Sequence, residues 1–103
     1  MSRIDQIQEM LKSEPHDSFL NYALALEYAK VGNVKKAIEL IEATLIHDEN
    51  YLGAYYQLGK YYEETQQPTA AIHTYKKGAA IATRQNNKKA LGELNEALLM
   101  LED

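Results

Sequence analysis

The chain contains no cysteine and no tryptophan, a single phenylalanine, and only two prolines. The missing thiol excludes disulfides and thiolate metal sites, and it fits a reducing compartment. Pro15 and Pro68 are far apart, which leaves long stretches free of helix breakers. The five glycines are isolated from one another, so no glycine-rich phosphate loop is offered. No window approaches the ~18–20 consecutive apolar residues of a membrane span. The opening residues, Met1-Ser2-Arg3-Ile4-Asp5-Gln6, lack a basic region followed by an apolar stretch, so they do not read as a signal peptide. A soluble, cytoplasmic chain is expected. A net charge of −4 argues against a generic nucleic-acid binder.

What is present is globular in composition. The 103 residues are 46% hydrophobic and 25% charged, enough for one domain with a modest core. Matching residues then recur at a spacing of 34: Ile4, Ile38 and Ile72; Ile7, Ile41 and Tyr75; Leu11, Leu45 and Ala79. Tyr22 is matched by Tyr56, Leu24 by Leu58, Tyr28 by Tyr62 and Ala37 by Ala71. No insertion interrupts this register through residue 85.

The punctuation predicts six helices. Ser2 caps a helix to about Ser13, stopped by Pro15. A second runs from about Asp17 to Val31, with Gly32 just past its end. Asn33 caps a third over 34–47, and Asn50 caps a fourth over 51–65. Gln67-Pro68 opens a fifth that reaches Arg84, with proline at the first helical position. Asn86-Asn87 opens a sixth ending near Leu101. Apolar spacing is helical throughout, as in Leu91, Leu94, Leu98 and Leu101. Two helices per 34 residues make a helical hairpin stacked on its own copies. Small residues are needed where helices cross closely, and Ala25, Gly59, Ala37 and Ala71 fit that need.

These residues resemble the tetratricopeptide repeat, whose pattern is a large aromatic, Leu with a small residue, Tyr, Ala, an aromatic, then Pro. Residues 52–85 carry it as Tyr55, Leu58-Gly59, Tyr62, Ala71 and Tyr75, with Thr83 in the proline place. Residues 18–51 carry it as Asn21, Leu24-Ala25, Tyr28, Ala37 and Ile41, with Glu49 in the proline place. Residues 3–15 resemble the second helix of an earlier repeat, ending in Pro15. Residues 86–103 resemble the first helix of a later one after a two-residue shift, which brings Leu91, Leu94 and Leu98 to the places of Tyr55, Leu58 and Tyr62. Asn21 and the two missing prolines depart from the pattern, and looser packing is expected in the first full repeat. The resemblance implies an all-α, right-handed solenoid of antiparallel hairpins. Residues 1–103 then form a single domain: a half repeat at 1–17, repeats at 18–51 and 52–85, and a capping helix at 86–103.

In this family the first helix of each repeat lines a concave groove. Carried onto this sequence, the groove face is Phe19, Tyr22, Leu26 and Lys30, then Gly53, Tyr56, Lys60 and Glu63, then Lys89, Gly92 and Glu96. Leu24 with Tyr28, and Leu58 with Tyr62, are expected in the core. Phe19, Tyr22, Leu26 and Tyr56 would form an apolar, aromatic wall suited to a protein or peptide partner, although Tyr22 and Tyr56 could equally be partly exposed packing residues. Some family members grip a C-terminal carboxylate with a Lys/Asn/Arg clamp. Tyr22 and Leu26 stand where its first Lys and Asn would lie, so binding of chaperone tails is not expected.

A second function remains open, a self-association module. Leu99 and Met100 lie off the core stripe of the last helix and would be exposed apolar area at an interface, unless the two-residue shift rotates the helix and buries them. From Thr65 to Gly92 there is no acidic residue, but there are Lys76, Lys77, Arg84, Lys88 and Lys89. That stretch reads as a solvated face or as a basic patch for an acidic partner. No aromatic is interleaved with these cations for base stacking, which disfavours nucleic acid.

Catalytic chemistry finds little footing. His16, His47 and His73 fall in different repeat units, and no His-x3-His pair completes a metal site. Glu63 and Glu64 point about 100° apart on a helix and read as a solvated face rather than a carboxylate pair. No Ser/His/Asp set is suggested by order or spacing. No catalytic residue, metal or cofactor is therefore assigned.

Overall fold

Most of the helices begin where a polar side chain can take up free backbone N–H groups. In the computed structural model, which describes residues 1–102, Ser2 Oγ accepts from the Asp5 N–H at 3.1 Å and opens α1 (Arg3–Leu11). Asp103, the last residue of the capping segment, lies outside the described residues. Asp17 opens α2 (Ser18–Lys30) by accepting from Leu20 N at 2.8 Å. Asn33 opens α3 (Val34–His47) by accepting from Lys36 N at 3.1 Å.

α4 (Gly53–Glu64) departs from this rule. The expected cap, Asn50, is engaged elsewhere: its Oδ1 accepts from Arg84 at 3.4 Å and its carbonyl from Gln85 Nε2 at 2.9 Å. The helix therefore starts at Gly53 rather than 51. Leu52 holds the capping place without a side-chain bond, and the N–H groups of Ala54 and Tyr55 turn back onto the carbonyls of Tyr51 and Leu52 at 3.2 Å. α5 (Pro68–Arg84) carries its proline in the first turn, where the missing N–H costs nothing. Asn87 opens α6 (Lys88–Glu102), accepting from Ala90 N at 3.0 Å. The other bounds fall within about two residues of those read from the sequence; α1 stops at Leu11 rather than Ser13, and α2 and α4 stop one residue short of Val31 and Thr65.

Three helices end alike. Gly32 (φ 90°), Gln66 (φ 57°) and Asn86 (φ 57°) take the left-handed conformation after α2, α4 and α5. In each case the following N–H reaches back: Asn33 to Tyr28 O at 2.9 Å, Gln67 to Tyr62 O at 2.8 Å and Asn87 to Ala82 O at 2.9 Å. These bonds satisfy carbonyls that would otherwise be orphaned.

The chain folds as two compact units, Met1–Glu49 and the residues from Asn50 onward. In the first, α2 packs on both α1 and α3. Its buried residues are aliphatic: Ile7, Leu24, Ala25, Ala37, Ile38 and Ile41, with Thr44 beside them. In the second, α5 packs on both α4 and α6. Tyr55 and Tyr75 are fully buried there, together with Ala71, Ala82, Leu94 and Leu98.

The small residues are where close approach demands them. Ala25, Ala37 and Ala71 have no exposed surface. A Cβ on Gly59 would fall 2.1 Å from Cε1 of Tyr75, and one on Gly78 would fall 2.7 Å from Cβ of Tyr55. Each aromatic side chain thus lies against a backbone without a side chain. Of the expected core pairs, Leu24 and Leu58 are buried, whereas Tyr28 and Tyr62 are half-buried. The Tyr28 hydroxyl sits near the surface, where it accepts from Gln8 Nε2 at 3.3 Å.

Candidate binding surface

In the first unit, Phe19, Tyr22, Leu26 and Lys30 recur at helical spacing along α2. Phe19 is 66% exposed, Tyr22 and Leu26 are half-buried, and Lys30 is exposed with its Nζ 3.6 Å from Glu27. An apolar stripe with one fully presented aromatic ring therefore stands on this helix.

In the second unit, two open depressions run along α4 and α6. One, of about 270 Å³, is lined by Leu52, Gly53, Tyr56, Asn87, Ala90, Glu93 and Leu94. The other, of about 180 Å³, is lined by Tyr56, Lys60, Glu63, Glu93, Glu96, Ala97 and Met100. Tyr56 and Glu93 belong to both, so the two are continuous. The Tyr56 ring is 6.1 Å from the buried ring of Tyr75, and Lys60 Nζ is 5.7 Å from its centroid. Packing against Tyr75 and a cation over its face hold the ring in place while leaving 36% of the residue exposed.

Glu63 is more than a solvated carboxylate. It accepts a hydrogen bond from the Tyr75 hydroxyl and lies 4.0 Å from Lys60 Nζ. Burial, then the hydrogen bond to Glu63 and that carboxylate's negative charge, push the Tyr75 phenol well above its ordinary pKa. Glu64, its neighbour, is exposed as expected.

On α6, Glu96 lines the second depression, whereas Lys89 and Gly92 are exposed and line neither. Glu93, Ala97 and Met100 line it instead; of these the sequence points only to Met100, and to a self-association surface rather than a groove. The face at i, i+3, i+4 and i+7 from Glu93 is the one that α6 turns toward α4. Leu99 and Met100 are 70% and 78% exposed, so the two-residue shift does not bury them. The cations of the acid-free stretch are exposed, and Lys76 pairs with Glu102 at 3.4 Å. In the first unit, His16 and His47 come together with ring centroids 4.2 Å apart. Only the fold could show this, since 31 residues separate them. No group of three or more metal-ligating side chains occurs among the described residues.

Solved structures place this arrangement. A crystal structure of a tetratricopeptide repeat domain protein from Salinibacter ruber shares 41% identity, covering 84% of this chain and 96% of its own, with a TM-score of 0.78. A solution structure of a tetratricopeptide repeat domain protein from the same organism shares 40% identity over 86% of this chain and 90% of its own, with a TM-score of 0.82. The chain belongs to the tetratricopeptide repeat family. The TPR2B domain of yeast Sti1, in its complex with pHsp70, has the same fold at 19% identity, with a TM-score of 0.88 over 96% of this chain and 79% of its own. The fold class is thus the all-α helical repeat of this family, and a protein-interaction module is the general role that goes with it. Neither a family model nor a curated protein sequence matches the chain. Among the described residues, no helix is long and apolar enough to cross a membrane.

Proposed function

We propose that this tetratricopeptide repeat chain is a cytoplasmic, non-catalytic scaffold that holds a segment of a partner protein on its groove faces. The faces are Phe19, Tyr22, Leu26 and Lys30 on α2, Tyr56, Lys60 and Glu63 on α4, and Glu96 on α6; Lys89 is exposed on the same helix but lies outside the depression. Residues 1–103 act as one binding domain, divided as 1–17, 18–51, 52–85 and 86–103. The observation that carries the reading is Tyr56, a ring buttressed by Tyr75 and Lys60 yet open to the depression beside it. Tyrosine held this way gives contact area with little rotamer freedom left to lose. The pHsp70 complex of the Sti1 domain supports a fold that accommodates a protein segment. A chaperone tail is not the partner envisaged, because Tyr22 and Leu26 occupy the first positions of the carboxylate clamp.

The test is affinity capture of native partners by the wild type and by Tyr22→Ala/Tyr56→Ala. Loss of at least about one hot-spot side chain should weaken capture roughly tenfold or more with helicity unchanged. Equal capture by the double variant removes the groove from the account. A second reading, self-association, is favoured by the exposure of Leu99 and Met100. A strict monomer by sedimentation at high concentration would sink it.

A further inference from the structure

The charges around the α4–α6 depression are unequal. Lys60 is the one cation in its lining, and it is shared between Glu63 and the Tyr56 ring. Glu63 is held in turn by the Tyr75 hydroxyl. Glu93 and Glu96 line the same depression one helical turn apart, and neither makes an ion pair or hydrogen bond among the described residues. Like charges at this spacing on a helix repel. Lys89, one turn before Glu93, is exposed and forms no ion pair with it. Lys76 on α5 is committed to Glu102. The depression therefore presents an apolar surface of Tyr56, Ala97 and the exposed Met100 beside two carboxylates with no counter-charge of their own.

We propose that this groove selects a cationic segment of a partner protein, with an apolar side chain seated against Tyr56, Ala97 and Met100 and flanking lysines or arginines paired with Glu93 and Glu96. This rests on the peptide-holding reading above and narrows it to one chemistry. An anionic segment would meet two uncompensated carboxylates and one cation already in use. A purely apolar segment would leave both carboxylates facing its backbone, with their water partly displaced and no partner gained. Only cations on the incoming chain satisfy both halves of the surface, and they would relieve the repulsion between Glu93 and Glu96 on binding.

Three short peptides decide the matter. They share their apolar residues and differ in flanks of lysine, glutamine or glutamate. Each is titrated by fluorescence anisotropy against the wild type, Tyr56→Ala and Glu93→Gln/Glu96→Gln. The lysine peptide should bind best, and more weakly as salt rises. The double glutamine variant should weaken it roughly 2- to 30-fold, the range of two exposed ion pairs, and should leave the glutamine peptide unchanged. Tyr56→Ala should weaken both. Equal or tighter binding of the glutamate peptide, or indifference of the lysine peptide to the double variant, overturns the charge selection. If binding in that case is still lost in Tyr56→Ala, the groove stands and only its selectivity falls. Binding of every peptide insensitive to Tyr56→Ala, or no binding at all, overturns the groove reading along with it.

Discussion

At the 34-residue spacing, Tyr55 and Gly78 in the second unit stand where Asn21 and Thr44 stand in the first, and Tyr75 and Gly59 stand where Ile41 and Ala25 do. The second unit matches a large ring to an absent side chain at both crossings. The first uses intermediate sizes on both sides. Its Asn21 does not fill the aromatic place; the amide instead donates to the carbonyls of Pro15 at 3.0 Å and Asp17 at 2.9 Å, tying the turn before α2 to the helix. Thr44 returns its hydroxyl to Leu40 O at 2.8 Å. A depression of about 170 Å³ remains beside them, lined by Pro15, His16, Asn21, Ala43, Thr44 and His47. One pattern of helices is therefore held by two different volume pairings. Aromatic area dominates in one unit, aliphatic packing plus a polar tether in the other.

If the pairings are real units of packing, they should exchange as pairs. Gly59→Ala should destabilise the protein by about 2 kcal/mol, because the added methyl overlaps the Tyr75 ring by more than the gain in helix propensity offsets. Tyr75→Ile alone should cost about 2–4 kcal/mol by leaving a cavity. In the Tyr75→Ile background the Gly59→Ala penalty should vanish, since the double variant carries the first unit's Ala25/Ile41 pairing. Urea unfolding of the four proteins gives the cycle. Additive penalties would mean that the two positions do not read each other, and the comparison between units would lose its basis.

The hydroxyl of Tyr75 separates the units a second time, because Ile41 in the same place has none. Its raised pKa means that the folded chain holds the phenolic proton more firmly than the unfolded chain, where the value is about 10. The stabilisation is complete below that pH and is lost as pH rises above it. Tyr75→Phe should cost about 1–2 kcal/mol near neutrality by depriving Glu63 of its donor. The gap between wild type and variant should close above about pH 10. A gap that stays constant through that range would exclude the hydrogen bond as its source.

What the residues alone disclosed was whatever repeats. The register, the six helices, the caps at Ser2 and Asn33 and the small residues at the crossings all follow from local chemistry or from copies of it. What they concealed depends on chain segments far apart. Asn50 has the side chain of a helix cap, but Arg84 and Gln85 claim it, so α4 starts later than its composition suggests. His16 and His47 meet only because α2 and α3 pack antiparallel across them. The α6 side of the groove was placed on Lys89, Gly92 and Glu96, whereas the depression is built on Glu93, Glu96, Ala97 and Met100. A shift of two residues turns a helix by about 200°, so the face of a shifted segment cannot be read from its neighbours.

The smallest expected effect lies at the helix ends, where one unit has a glycine and the other a residue with a side chain. Gly32 and Gln66 are matched at the 34-residue spacing and both take the left-handed conformation after their helices. Glycine adopts it without steric cost, whereas glutamine brings Cβ against a carbonyl oxygen. Gln66→Gly should therefore stabilise the protein by about 0.5 kcal/mol, the relief of that contact less the extra freedom of the unfolded glycine. Gly32→Ala should lose about 1 kcal/mol in the opposite sense. A Cβ on Gly32 would meet nothing within 4 Å, so the loss there reports backbone conformation alone. Thermal unfolding of the two variants is sufficient. Opposite shifts would show that the two ends share one backbone geometry and differ only in how well the residue suits it, while a loss in Gln66→Gly would mean that the glutamine side chain contributes a contact the first unit lacks.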